Sequence, residues 1–337
     1  MKLTQLTSAI AASLLLAACG GSDDATSTPT TARVSFSIAD APVDSADNVV
    51  VTYRSITLKR SASDDDDSDN NIEIPLVDEA GEPVDTLQID LLDYQNGDSL
   101  LVINNVELPV GDYQELIINT EGCPQNQNGS SDDCYVVNGD GTFPLVTPSN
   151  KLRLGGFTVG TEGVQAYTID FNLRKSLVER SNGMAFNLKP HGVTIVDNST
   201  VGSISGSVDP NLFSAGECIA DSGNVVYLYQ GAAVEGQILA DEFDPEIEDN
   251  APEGAIEPYA SKQVALDEDS GDYRYQFAFL PQGDYQLAFS CSAENDDPEL
   301  YDGITIADPE GQVVPYSLSE GENASVDFEE SAEVEPF

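Results

Sequence analysis

Leu108-Pro-Val-Gly-Asp-Tyr-Gln114 and Leu280-Pro-Gln-Gly-Asp-Tyr-Gln286 are two versions of one stretch, and each runs into an alternating apolar segment, residues 115–119 and 287–291. Proline enters a turn with φ already set, and glycine closes it without steric cost. The Leu before the turn and the Tyr after it then point into a core from two successive strands. The motif reads as a hairpin corner of a β-sandwich, used twice. It holds no nucleophile, base or metal-ligand set, so its expected role is structural. The fold expected is all-β: two antiparallel β-sandwich domains in tandem, residues 33–198 and 201–329.

The flanking sequence supplies the strands. Around the first corner, Val34, Phe36 and Ile38 alternate with serines, residues 49–59 are rich in β-branched side chains, and Ile72, Ile74 and Leu76 alternate again. Further strands are expected over 86–92, 99–107, 136–145, 151–159, 167–173 and 186–196. Around the second corner, residues 201–208 and 225–229 read as strands. Tyr273, Tyr275, Phe277 and Phe279 form an alternating core stripe, and 324–328 is a plausible last strand. The acidic, Pro-bearing stretch 240–258 reads as a long surface loop, and 330–337 as an acidic tail.

The charge balance is extreme: 13 Lys+Arg stand against 60 Asp+Glu in 337 residues, a net −47. Phosphate backbones and anionic lipid surfaces would be repelled, which excludes nucleic acid as a partner. Two explanations remain: a salty medium in which a charged surface stays hydrated, or sites for hard cations such as calcium. The acids are spread along the whole chain, which favours the first. The run Asp64, Asp65, Asp66, Asp67 and Asp69 reads as an exposed loop extended by its own repulsion. It is also the weak candidate for a metal site, lacking the Gly and distal Glu of an EF-hand. The apolar fraction of 40% argues against a wholly disordered chain.

At the N-terminus Lys2 precedes an apolar stretch, residues 10–18, too short to cross a bilayer, and then Leu16-Ala-Ala-Cys19. Residues 1–18 read as an export signal and 19–32, rich in Gly, Ser and Thr, as a flexible tether. Four cysteines remain: Cys123, Cys134, Cys218 and Cys291. An exported chain meets an oxidising compartment, and an even count fits two bridges. Four cysteines allow three pairings. The simplest keeps each bridge in one domain, Cys123–Cys134 and Cys218–Cys291, each worth about 3 kcal/mol by loop closure. A four-cysteine zinc site lacks any Cys-x-x-Cys pair.

Asp170, Arg174, Lys175 and Ser176 are the one grouping with catalytic residue types. A Ser–Lys pair needs the amine beside the hydroxyl, and neighbours on a continuing strand point to opposite faces. Asp170 and Arg174 are expected to pair across the strand end instead. His191, the lone histidine, has no evident orienting partner and builds no zinc site of the common type. With 60 acids, some carboxylate pair falls at hydrolase spacing by chance, and no motif selects one. No enzyme activity and no cofactor other than calcium is expected.

Leu16-Ala-Ala-Cys19 resembles a bacterial lipoprotein signal. That resemblance implies acylation of Cys19, palmitate included, as the first mature residue and, with no Asp at position 20, delivery to the outer membrane. Ser37-Ile-Ala-Asp-Ala-Pro42, Leu108-Pro-Val-Gly-Asp-Tyr113, Ile169-Asp-Phe-Asn-Leu-Arg-Lys-Ser176 and Leu188-Lys-Pro190, in that order, resemble the DUF4382 family. Its members are bacterial lipoproteins without an assigned activity, and they often carry Asp where Asn172 stands. Residues 204–208, 225–229 and Phe277-Ala-Phe-Leu-Pro-Gln-Gly-Asp-Tyr285 resemble the transthyretin-like, carboxypeptidase-regulatory-like sandwich. Together these imply Ig-like or prealbumin-like modules. The function they imply is that of a non-enzymatic, outer-membrane-anchored lipoprotein used for adhesion, envelope scaffolding or partner binding. The alternative is a glycan- or calcium-binding surface module of an uptake system, favoured by 13 Tyr and disfavoured by the absence of Trp.

Overall fold

The computed structural model describes residues 30–41, 46–60, 71–126, 129–161, 163–180, 183–214, 218, 222–248, 250–294 and 296–330. The export signal, Cys19, most of the tether and the acidic run Asp64–Asp69 lie outside the described residues. The fold is all-β, in two tandem sandwiches. Thr31–Ala41, the first strand, sits between Val164–Asn172 (parallel) and Leu100–Pro109 (antiparallel). The facing sheet is built on Asn48–Arg60, which pairs with Gly111–Thr120, and that strand pairs in turn with Lys151–Leu154. The second module repeats the plan. Gly202–Ser207 lies between Asn323–Ser325 (parallel) and Tyr273–Leu280 (antiparallel), while Val225–Gln230 pairs with Gly283–Ser290, which pairs with Val313–Leu318. Among the described strands, no pairing joins one module to the other.

The repeated corner is not a hairpin. The strands before and after it belong to opposite sheets in both modules, so the chain arches across the core at Pro109–Gly111 and again at Pro281–Gly283. The tyrosine explains the geometry. Tyr113 donates its hydroxyl proton to the Pro109 carbonyl at 2.9 Å, and Tyr285 donates to the Pro281 carbonyl at 2.7 Å. Each bond spans four residues and satisfies a carbonyl that a hairpin ladder would otherwise have used, in the manner of the tyrosine corner of other sandwiches. Leu108 and Leu280 fill the core on the near side, and the two tyrosine rings fill it on the far side. Gly111, at φ 130°, occupies backbone space that a side chain would strain.

A bulge precedes each corner. In the first module Asn105 has φ 51°, and the register with the first strand slips between Val34 and Phe36. In the second, Gly202 faces Leu280 while Ile204 faces Phe277, and Phe279 has φ 54°. The extra residue ends the alternation expected of the aromatic stripe: Phe279 is only half-buried and Leu280 takes the core position.

The stretch 240–258 also departs from expectation. Ala240, Asp241, Glu242, Phe243 and Asp244 are buried. Strand Val225–Gln230 is apolar on both faces. Val226 and Leu228 point into the inter-sheet core, while Val225, Tyr227 and Tyr229 pack outward against Leu239, Ile256, Ile304 and Ile306. The acidic loops are pulled in to cover that outer face. Disulfides join Cys123 to Cys134 (Cα–Cα 4.9 Å) and Cys218 to Cys291 (5.4 Å), one in each module. Tyr285→Phe should cost about 1–3 kcal/mol by leaving the Pro281 carbonyl unpaired, read as a lower urea midpoint at unchanged slope.

Candidate functional site

Strand Val164–Asn172 ends in a single helical turn, Leu173–Ser176, rather than continuing extended. The turn swings Arg174 and Lys175 out of the first module and into the second. Both are buried. Arg174 donates from Nε to Ser261 Oγ at 3.0 Å and pairs through its terminal nitrogen with Asp296 at 3.3 Å. Asp296 also accepts from the Tyr227 hydroxyl at 2.6 Å and from the Glu242 amide at 3.1 Å. Lys175 donates to the Pro258 carbonyl at 2.6 Å and pairs with Glu257 at 3.2 Å, with Glu242 at 4.0 Å. Ser261 passes the contact on, donating to Glu242 at 2.7 Å. Around this centre Arg180 pairs with Glu299 at 2.5 Å, Lys189 pairs with Glu299 and lies 3.7 Å from Asp244, and His191 lies 3.4 Å from Glu257.

The expected pairing of Asp170 with Arg174 is therefore not the one made, because the helical turn carries the guanidinium away. Asp170 instead faces Lys262 of the second module. With Asp40, Asn172 and Tyr259 they line a small polar cavity of about 30 Å³, room for an ordered water or two. Burial pushes the Asp170 carboxyl up to about 7 against the pull of Lys262, and pushes the Lys262 ammonium down to about 8 against Asp40 and Asp170. Burial likewise raises Glu242 and Asp296, opposed chiefly by Lys175 and Arg174 respectively. Ser176 donates to the Asn172 carbonyl at 2.9 Å, so its hydroxyl closes the turn while the Lys175 amine is engaged elsewhere. The sulfurs of Cys218 and Cys291 lie near a carboxylate oxygen of Asp308. Bonded to each other, they are not the thiolates a zinc ion would take.

Sequence reasoning singled out Arg174, Lys175 and His191 but missed their partners. A single acid among 60 carries no signal. The usable signal was scarcity: Arg174, Lys175, Arg180 and Lys189 are four of only 13 Lys+Arg, gathered within one short segment.

Residues 31–190 match the family model described as "Domain of unknown function (DUF4382)". The match covers most of the first module, and it includes Arg174, Lys175, Arg180 and Lys189, which pair with acids of the second. No curated protein sequence matches the chain. Among solved structures, the Bacillus anthracis TIE protein is 10% identical with a TM-score of 0.19, over 90% of this chain and 34% of that one. The chain thus spans about a third of that protein's length. A candidate adhesin of Bacteroides ovatus is 11% identical, TM-score 0.18, over 94% and 99%. The fimbrial protein FimP of Actonomyces oris is 11% identical, TM-score 0.24, over 86% and 62%. Scores this low support no transfer of function.

Arg174→Met should strand the buried Asp296 and cost about 3–5 kcal/mol, part of it recovered in the double variant with Asp296→Asn. Denaturant unfolding of the three variants measures it. Asp170 binds a proton in the folded state at pH values where the unfolded chain has lost it. Its contribution to stability is therefore greatest in acid and falls as pH rises from about 4 to 7. Over that range the wild type should lose stability relative to Asp170→Asn; a difference that is flat or rises with pH contradicts this.

Proposed function

We propose that this protein is a non-enzymatic presenter: two sandwich modules locked at a fixed angle and held off a membrane on a lipid-anchored tether, for adhesion, envelope scaffolding or partner binding. The observation that carries the reading is the burial of Arg174 and Lys175 of the first module among acids of the second. Linked domains move relative to one another by default unless their interface holds them. A buried ion pair adds little net stability over apolar packing, but a displaced one is strongly penalised, so such pairs serve best to specify one arrangement. A catalytic cleft at a domain boundary needs exposed, reactive side chains. Here Arg174 and Lys175 are engaged with Asp296, Glu242 and Glu257.

The anchor in this reading is Cys19, acylated after removal of residues 1–18, with the outer membrane as destination and a transthyretin-like second module as the distal piece. No helix among the described residues is long and apolar enough to cross a membrane. Metabolic labelling with a palmitate analogue tests the anchor: label is expected on the wild type and absent from Cys19→Ala, and an unlabelled wild type overturns it. Small-angle scattering tests the lock. The mature protein should keep one set of dimensions from low to high salt, while Arg174→Met with Lys175→Met broadens them; equal flexibility in both would refute a fixed joint.

A further inference from the structure

Strand Val164–Asn172 ends against the second module, and residues two apart on a strand share a face. Asp170 and Asn172 are such a pair. With Asp40 of the first module and Tyr259 and Lys262 of the second, they line the cavity of about 30 Å³ between the modules. Asn172 is buried, and neither its carboxamide oxygen nor its carboxamide nitrogen has a hydrogen-bond partner among the described residues. Its backbone is held firmly: the amide donates to the Gly192 carbonyl at 2.8 Å, and the carbonyl accepts from the Ser176 hydroxyl at 2.9 Å. Lys262 is buried too, and the charges that act on it are those of Asp40 and Asp170. Among the described residues it makes no hydrogen bond and no contact ion pair. A buried amine and a buried carboxamide left without partners are costly to keep. They are also a nucleophile and an electrophile that share one enclosure. The other carboxamides on the lining, Asn96 and Gln276, are less buried.

We propose that Lys262 and Asn172 join in an isopeptide bond that ties the second module covalently to the first, with Asp170 as the acid that moves the proton. The Lys262 Nζ lone pair attacks Asn172 Cγ and forms the new C–N bond. Asp170 gives its proton to the departing nitrogen, the Cγ–Nδ2 bond breaks, and Nδ2 leaves as ammonia. Asp170 then recovers a proton from Nζ. One amide replaces another, so nothing is oxidised or reduced and no co-reactant is needed. The surroundings supply the protonation states. Burial pushes Asp170 up to about 7 and Lys262 down to about 8, so a protonated acid and a neutral amine are both populated near neutral pH. The reaction occurs once, within the chain, and makes the protein no catalyst toward other molecules. It rests on the contact between the modules described above, and on neither the anchor nor a binding role.

Peptide mapping of the mature protein by mass spectrometry, after full reduction of the disulfides, tests the proposal. The peptides that contain Asn172 and Lys262 should appear joined, lighter than their sum by one ammonia. Lys262→Arg and Asn172→Ala should each give the two peptides separately, and Asp170→Asn should leave most of the protein unjoined. The wild type alone decides whether the bond exists, however well the variants fold. Separate peptides at full mass in the wild type, or Lys262 joined to any residue other than Asn172, would overturn the bond. A joined fraction unchanged in Asp170→Asn would overturn the role of Asp170. Scattering reads the fixed joint separately, so a rigid protein without the link refutes the bond and leaves the ion-paired joint standing.

Discussion

The architecture depends on where a very acidic chain spends its few cations. With 13 Lys+Arg against 60 Asp+Glu, most acids have no cation to pair with. Yet Arg174 and Lys175 are withdrawn from water and enclosed by Asp296, Glu242 and Glu257, with Arg180 and Lys189 at the rim. Two sandwiches with strongly negative surfaces repel each other when brought face to face. The cluster reverses the sign of that interaction locally, as does Lys262 of the second module against Asp40 and Asp170 of the first. The single helical turn Leu173–Ser176 is the device that does it, because it lifts two consecutive cations off the sheet and points them across the boundary.

The two modules solve the same packing problem in the same way. In each, the opening strand is central in one sheet, with the strand before the corner on one side and a late strand, parallel to it, on the other. The chain then crosses the core at a Pro-x-Gly arch tied by a tyrosine hydroxyl. The second module adds one feature, a sheet buried on both faces. That feature turns an acidic connecting stretch into a structural lid and places Glu242 and Asp296 where they meet the first module.

Several elements were legible because their cause is local. Alternation in Val34-Ser-Phe-Ser-Ile38 reports a half-buried strand, and Pro and Gly at a fixed offset report a change of direction. The direction of that change was not legible: a hairpin and a sheet-crossing arch use the same turn residues, and what separates them is the carbonyl that the tyrosine hydroxyl reaches. Phe279 misled for a related reason, since alternation assumes an unbroken ladder and the bulge adds a residue. The uninterrupted Val225-Val-Tyr-Leu-Tyr229 carried a hint that its outer face is covered, but not by what.

Composition, periodicity and the repeated corner determined by themselves that the chain is all-β, that it has two sandwiches, and which side chains of the unbroken strands face each core. These follow from hydrophobic burial at a period of two, which is written along the chain. Only the tertiary structure decided how the sandwiches meet and which acids matter. An ion pair between residues 174 and 296 is a relation between distant positions, and nothing in the local pattern of either distinguishes it from any other charge until the fold removes both from water.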